Sequence, residues 1–221
     1  MPSQFGQDRL ILELLGGLRG GFFLDSGASD GVRSSNTYLL ETAFDWDGIC
    51  VEPNDAFFAA LEQNRECRCF HCCLYDRDGD VDFLEASTLG GIIDEYHPKL
   101  LRHATRVMRL RLDAYGAPMT VRKPTRTIRS VLQAGNAPPV IDYWSLDTEG
   151  SELAILKSFP WDEYTCRVLT VEHNNLPPRE DIRRYLTGRR YQLAGEIGVD
   201  DCYVLAGSLG TPAWRSSAWR R

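Results

Sequence analysis

Short β-rich runs alternate with helical stretches from near the start of the chain almost to its end, and this alternation is what most limits the fold. It is the sequence form of a mainly parallel sheet joined by crossover helices, so the class is α/β. "DRLILELLGGL" places Leu10, Ile11, Leu14 and Leu15 at helical spacing and closes on Gly16 and Gly17. "GFFLDSG" reads as a first strand, and "SSNTYLLETA" as a helix with Ser34 or Ser35 as its candidate cap. "GICVEPN" and "DAFFAALEQN" repeat the pair, with Asn54 or Asp55 capping, and "CRCFHCCLYD" is a third strand. "TRTIRSVLQAG" is a helix closed by Gly135, "PPVIDYWSLDTEGSE" a strand ending in acids and feeding the helix "SELAILKSF", and "RVLTVEHNN" a fifth strand. "PPREDIRRYLTGR" is a helix opened by its prolines. "YQLAGEIGVDDCYVLAG" finishes as a hairpin, expected to be the one antiparallel element.

Regularity loosens between residues 84 and 125, which we expect to form an insertion or lid, and residues 209–221 read as a loose tail. No repeat or linker divides the remainder, so 1–221 is expected to be a single domain, a length at which one core buries about three quarters of the unfolded chain's surface. A net charge of −6 argues against a general nucleic-acid surface and suits a small-molecule partner. No run of about 18 apolar residues offers a membrane span. "MPSQFGQDRL" lacks a signal pattern, so a cytoplasmic location is expected and the 7 cysteines should be reduced thiols.

The turn "FFLDSGASDG" follows the first strand, where ligands of open α/β sheets gather. It is not the G-x-G-x-x-G of dinucleotide sites: it offers Gly27 and Gly31, with carboxylates at Asp25 and Asp30. A carboxylate at the strand end would repel a pyrophosphate and attract an ammonium group. Glu52, ending "GICVE", is placed to accept both hydroxyls of a ribose. Ammonium, ribose and a small-residue approach together describe S-adenosylmethionine. The rival is a nicotinamide-dependent Rossmann oxidoreductase, which predicts a third glycine in this turn. A second rival is a module that binds the cofactor without catalysing transfer.

The segments "SQFGQD", "GGFFLDSGASDGVRSSNTYLLE", "WDGICVEPN", "IDYWSLDTEGSELAILKSFP" and "LTVEHN", in this order and with the terminal "DDCYVL" also fitting, together resemble the FkbM family of S-adenosylmethionine-dependent methyltransferases. The resemblance implies a class I methyltransferase fold, a Rossmann-like, doubly wound, seven-stranded sheet, mainly parallel with the last strand antiparallel. It implies methyl transfer to a hydroxyl of a sugar or a secondary metabolite. It assigns Asp25, Gly27 and Gly31 to the glycine-loop motif, Glu52 to the ribose acid, and Asp147, Glu149 and Glu152 to the later acidic segment. Ala28 and Pro53 go with the cofactor-binding stretches, and Cys73 and Leu74 are expected at the adenine.

Methyl transfer to a hydroxyl is an in-line displacement that gains from alignment and from a base for the departing proton. Asp147, at the end of the fourth strand, is the leading base, followed by Glu149, while Glu152 either serves function or satisfies its helix's N-terminal dipole. Glu172 and His173 end the fifth strand; successive residues face opposite ways, so at most one looks into the site. His173 has an ordinary pKa suited to proton transfer. Asp147, Glu172 and His173 together could hold a divalent cation such as Mg or Mn, leaving the metal question open. Gln7 and Asp8 are candidates to fold over the cofactor, the alternative being that Ser3 or Asp8 caps the first helix. Ser35 and Asn36 open the helix after the turn, where free backbone N–H groups can bind a carboxylate, with Asn36 the preferred contact. The C-x-x-C of Cys69 and Cys72 lacks the second pair a structural zinc needs, so strand core is favoured. The basic run from Arg102 to Arg129 is a solvated face or a recognition surface for an anionic acceptor.

Overall fold

The computed structural model describes residues 3–110 and 119–209. The elements run α1 (Gln7–Leu14), β1 (Phe22–Ser26), α2 (Tyr38–Phe44), β2 (Asp47–Val51), α3 (Asp55–Asn64), β3 (Arg68–Phe70), β4 (Cys73–Tyr75), β5 (Gly79–Glu85) and β6 (Gly91–Ile92). They continue with a 3₁₀ turn (Ile93–Glu95), α4 (Pro98–Leu110), β7 (Met119–Thr127), α5 (Ile128–Ala134), β8 (Val140–Leu146), α6 (Glu152–Ser158), β9 (Thr165–Glu172), α7 (Pro178–Gly188), β10 (Tyr191–Ile197) and β11 (Asp200–Leu205).

Seven strands form the main sheet in the order β10-β11-β9-β8-β1-β2-β3. The pairings β1–β2, β2–β3, β1–β8 and β8–β9 are parallel, and β11 runs antiparallel to both β9 and β10. The chain steps outward from β1 to β3, then returns to β8 on β1's other flank, so the strand order reverses at β1 and β8. The crevice at their carboxyl ends is the place an open α/β sheet offers to a ligand.

Both faces of the sheet are covered, because successive strand side chains point opposite ways. Leu24, Ile49, Trp144 and Leu169 meet Ile128, Leu132, Ile155, Leu156, Ile182 and Leu186 of α5, α6 and α7 in one core cluster. Phe23, Cys50, Tyr143 and Val168 meet Leu10 and Ile11 of α1, Leu40 of α2 and Leu61 of α3 in the other. Among the described residues no helix is long and apolar enough to cross a membrane.

"CRCFHCCLYD" is not one strand: β3 pairs with β2, and after His71 the chain leaves the main sheet for a second one, β4-β7-β5-β6. His71 stacks on Phe58 of α3 with ring centroids 4.4 Å apart, and that contact marks the bend between the two. The second sheet contains the antiparallel pairs β5–β6 and β5–β7, so the terminal hairpin is not the one antiparallel element. β7 carries no strand signal in the sequence because "VRKPT" holds charge and a proline, and Thr125 to Thr127 belong to this strand, the helix expected from "TRTIRSVLQAG" beginning only at Ile128. Pro124 is tolerated there because β4 pairs only with Thr125 to Thr127, leaving that side of β7 open at residue 124. The tail expected from residue 209 lies, beyond Leu209, outside the described residues.

Candidate functional site

A cavity of about 510 Å³ opens over the carboxyl ends of β1, β2, β8 and β9, within the range of small-molecule sites. Asp25, Gly27, Ala28, Asn36, Glu52, Pro53, Cys73, Leu74, Asp147, Glu149 and Glu172, all expected from the sequence, line it. Gly31 and His173 do not.

Gly27 sits at φ 86, and a Cβ added there would overlap the carbonyl oxygen of Asp147. The β1 and β8 turns therefore approach so closely that only glycine fits. Gly31, at φ 79, is glycine for another reason: a Cβ would lie 2.7 Å from the side chains of Arg65 and Leu61, behind the turn. Asp30 Oδ1 accepts the N–H groups of Val32 at 3.0 Å and Arg33 at 2.8 Å, so this acid shapes the turn.

Asp25 is buried and accepts the Thr37 hydroxyl at 2.6 Å. Burial raises its pKa, and the Arg65 guanidinium and the Thr37 bond oppose the rise. Glu52 accepts the N–H of Ser29 on one oxygen and that of Asn54 on the other, both at 2.8 Å. Burial pushes it up to about 7 against those two bonds. Asn36 donates to Ser145 Oγ at 3.0 Å, while its Oδ1 is buried with no partner. The Ser35 hydroxyl accepts the Thr37 and Tyr38 N–H groups, so those amides at the start of α2 are not free to bind a carboxylate.

Asp147, Glu149 and Glu172 bring one oxygen each to within 4.8 Å of one another. Asn174 Nδ2 bridges Glu172 at 2.7 Å and Glu149 at 3.3 Å. Burial and the neighbouring Asp200 carboxylate push Asp147 up to about 8, and burial with the Asp147 charge raises Glu149 and Glu172. Glu152 is turned away, accepting the N–H groups of Thr148 and Gly150, and so closes the turn that carries the other acids. His173 faces the opposite side of β9, where its Nδ1 accepts the Asn175 N–H at 3.0 Å and its Nε2 lies 3.7 Å from Asp201. It does not line the cavity. Strand alternation left the choice between Glu172 and His173 open, and the register settles it for Glu172.

Asp200, absent from the expected set, lines the cavity and accepts Gln7 Nε2 at 2.8 Å. It stands opposite Glu172 in the β11–β9 register. Only the antiparallel direction of β11 brings the beginning of that strand to the carboxyl end of β9. Asp8 is instead held by Ser3, and the cap position of α1, Gly6, makes no side-chain bond. Ser87, Thr88, Leu89, Gly90 and Ile92 cover the cavity from the second sheet. Cys72 packs in the main core away from Cys69, and the basic side chains described in 102–129 stay out of the lining. Arg122 pairs with Asp82, Lys123 with Asp55 and Glu85, and Arg129 with Glu163.

The model for the "Methyltransferase FkbM domain" matches residues 25–193. The chain belongs to the FkbM methyltransferase family. Among solved structures, the FkbM methyltransferase from Methylobacillus flagellatus KT is 15% identical with a TM-score of 0.52, which shows a shared fold. That match covers 86% of this chain and 45% of the other, so this chain spans about half that protein's length. A precorrin-6y C5,15-methyltransferase from Geobacter metallireducens GS-15 is 9% identical with a TM-score of 0.45, covering 89% and 85% of the two chains. No curated protein matches the sequence. Family membership sets aside the nicotinamide reading.

Proposed function

We propose that the protein transfers a methyl group from S-adenosylmethionine to a hydroxyl of a sugar or secondary metabolite. The observation that carries this reading is Glu52. Each of its oxygens is anchored by one backbone N–H, which leaves one acceptor lone pair on each for the two hydroxyls of a ribose. The unpartnered Asn36 Oδ1 and the Asp25 carboxylate suit an ammonium group, and the glycine at 27 admits a ligand against the strand ends. Cys73, Leu74 and Pro53 supply apolar lining for an adenine.

S-adenosylmethionine supplies a methyl group on an electrophilic sulfonium. The chain's part is to hold the acceptor in line and to take the hydroxyl proton. Asp147 is the base we assign, since a midpoint raised to about 8 is matched to proton transfer near neutrality. Glu149 and Glu172 orient it and share its proton. The same three oxygens suit Mg or Mn, and activity after exhaustive chelation distinguishes a cation from a shared proton. Among the described residues, seven carboxylates and one basic side chain, Arg33, line the cavity, which favours a neutral, hydroxyl-rich acceptor over an anionic one.

We read the sheet as the class I methyltransferase arrangement: the 3-2-1-4-5-6 order of doubly wound folds with one antiparallel strand, β11, inserted before the last. Residues 1–221 form one methyltransferase domain in this reading, and the loop at 86–90 within segment 84–125 acts as the acceptor-side lid. All seven cysteines are free thiols, which suits a cytoplasmic setting. Calorimetric titration tests the reading: S-adenosylhomocysteine binds and NADH does not. The reverse result sinks it. A non-catalytic binding module would keep its cellular effect after Asp147→Asn, whereas an enzyme loses it.

A further inference from the structure

The Arg65 side chain is fully buried, at 0% exposure, directly behind the glycine turn. It pairs with Glu41 and donates to the Gly31 carbonyl at 3.1 Å, to Ser35 Oγ at 3.4 Å and to Thr37 Oγ1 at 3.0 Å. Arginine has donors only, so at Thr37 the hydroxyl oxygen must accept from the guanidinium, and its hydrogen is left for Asp25 Oδ2. The contact is a one-way relay, guanidinium to hydroxyl to carboxylate. One side chain thus holds the turn through Gly31 and the strand-end acid through Thr37.

We propose that Arg65 is a positioning residue for the cofactor site, which fixes the direction of the Asp25 carboxylate and keeps it anionic through the Thr37 hydroxyl; this rests on the cofactor reading above. The charged and titratable groups around Asp25 leave that task to Arg65. Tyr143 and Asp147 face it from β8 and its end, Cys50 and Glu52 from β2 and its end, and Cys67 from the segment after α3. Among these described neighbours Arg65 is the one cation. Without it Asp25 would sit buried among acids and take up a proton, losing its attraction for an ammonium group. The Phe23 and Tyr38 rings lie 5.2 and 5.9 Å from the guanidinium carbon.

The test compares two ligands of the intact protein by calorimetry between pH 5 and 8. S-adenosylhomocysteine carries the ammonium group, and 5′-methylthioadenosine lacks it. Thr37→Val breaks the relay while leaving Arg65 its bonds to Gly31 and Glu41. It is expected to move up by about one pH unit the acid limb of the ratio of S-adenosylhomocysteine to 5′-methylthioadenosine affinity, from which the Glu52 limb cancels, and so to cost about tenfold in that ratio at pH values below the limb. Affinity for 5′-methylthioadenosine should stay within about twofold, and Thr37→Ser should restore the wild-type profile. Thr37→Ala gives the same readout should the valine variant fail to fold. Unchanged S-adenosylhomocysteine binding and pH limb overturns the proposal, as does an equal loss for both ligands, which would mark a merely structural role. A wild-type protein that binds neither ligand overturns the cofactor reading and this proposal with it.

Discussion

Glu52 Oε2 accepts the backbone N–H of Ser29 at 2.8 Å, so the acid ending the second strand is tied directly to the turn ending the first. The two halves of the proposed nucleotide site are therefore one hydrogen-bonded unit, and a change to either is felt by the other.

Replacing Glu52 by Gln exchanges one acceptor oxygen for a donor, which then opposes the Ser29 or the Asn54 N–H beside a ribose hydroxyl. Losing one such bond costs about 1–3 kcal/mol, so S-adenosylhomocysteine affinity should fall about 5- to 150-fold by calorimetry. With its midpoint at about 7, wild-type Glu52 gains charge as pH rises from 6 to 8, and affinity should rise across that interval. That limb should be missing from Glu52→Gln. An unchanged dissociation constant would refute the ribose role.

The stability of the ligand-free protein should fall as pH is raised from about 5 to 8. Asp147, Glu149 and Glu172 have midpoints raised above the ordinary carboxylate range, so the folded state keeps protons that the unfolded chain has already released. Stability then decreases with pH, by about 1.4 kcal/mol per pH unit for each proton retained. The melting temperature should drop by about 2–4 °C per kcal/mol lost, and Glu149→Gln should flatten the slope. The opposite sign holds for Asp201: burial raises it, but Arg179 and Arg183 hold it down to about 2, so its contribution is lost only as pH falls below about 4.

Gly27→Ala should abolish cofactor binding and lower the melting temperature, because φ 86 is strained for alanine and its Cβ would overlap Asp147's carbonyl. Strain alone is worth about 1–3 kcal/mol. Gly188→Ala is the control: nothing lies within 4 Å of the added carbon, and binding should be unaffected.

With an accepted substrate in hand, Asp147→Asn should lower kcat by about 10²–10⁴. His173→Gln should leave kcat within a few-fold of wild type while lowering the melting temperature, since its ring is packed beside Asp201 on the far side of β9. A large kcat loss in the His173 variant, at unchanged stability, would return it to the site.

Asn54 caps α3 by accepting the N–H groups of Ala56 and Phe57. Asn54→Ala should cost about 1 kcal/mol, seen as a shift in a denaturant midpoint at constant slope.

Local chemistry determined much of this from the chain alone. Apolar periodicity marked the helices and strands of the main sheet. Asn54 and Asp55 ahead of an apolar run announced a cap, which the structure gives to Asn54, and acids at the ends of "GICVE" and "YWSLD" announced the crevice, because such features act between residues close in sequence. What depended on distant partners did not show. The role of Gly31 is set by Arg65, and Asp200 reaches the site only because its strand runs backwards. His173 is excluded by a register, and "CRCFHCC" crosses from one sheet to another without any change in its apolar pattern. Each of these is a relation across tens of residues, and only the tertiary structure decides it, since period-two alternation says which residues share a face and nothing about what that face will meet.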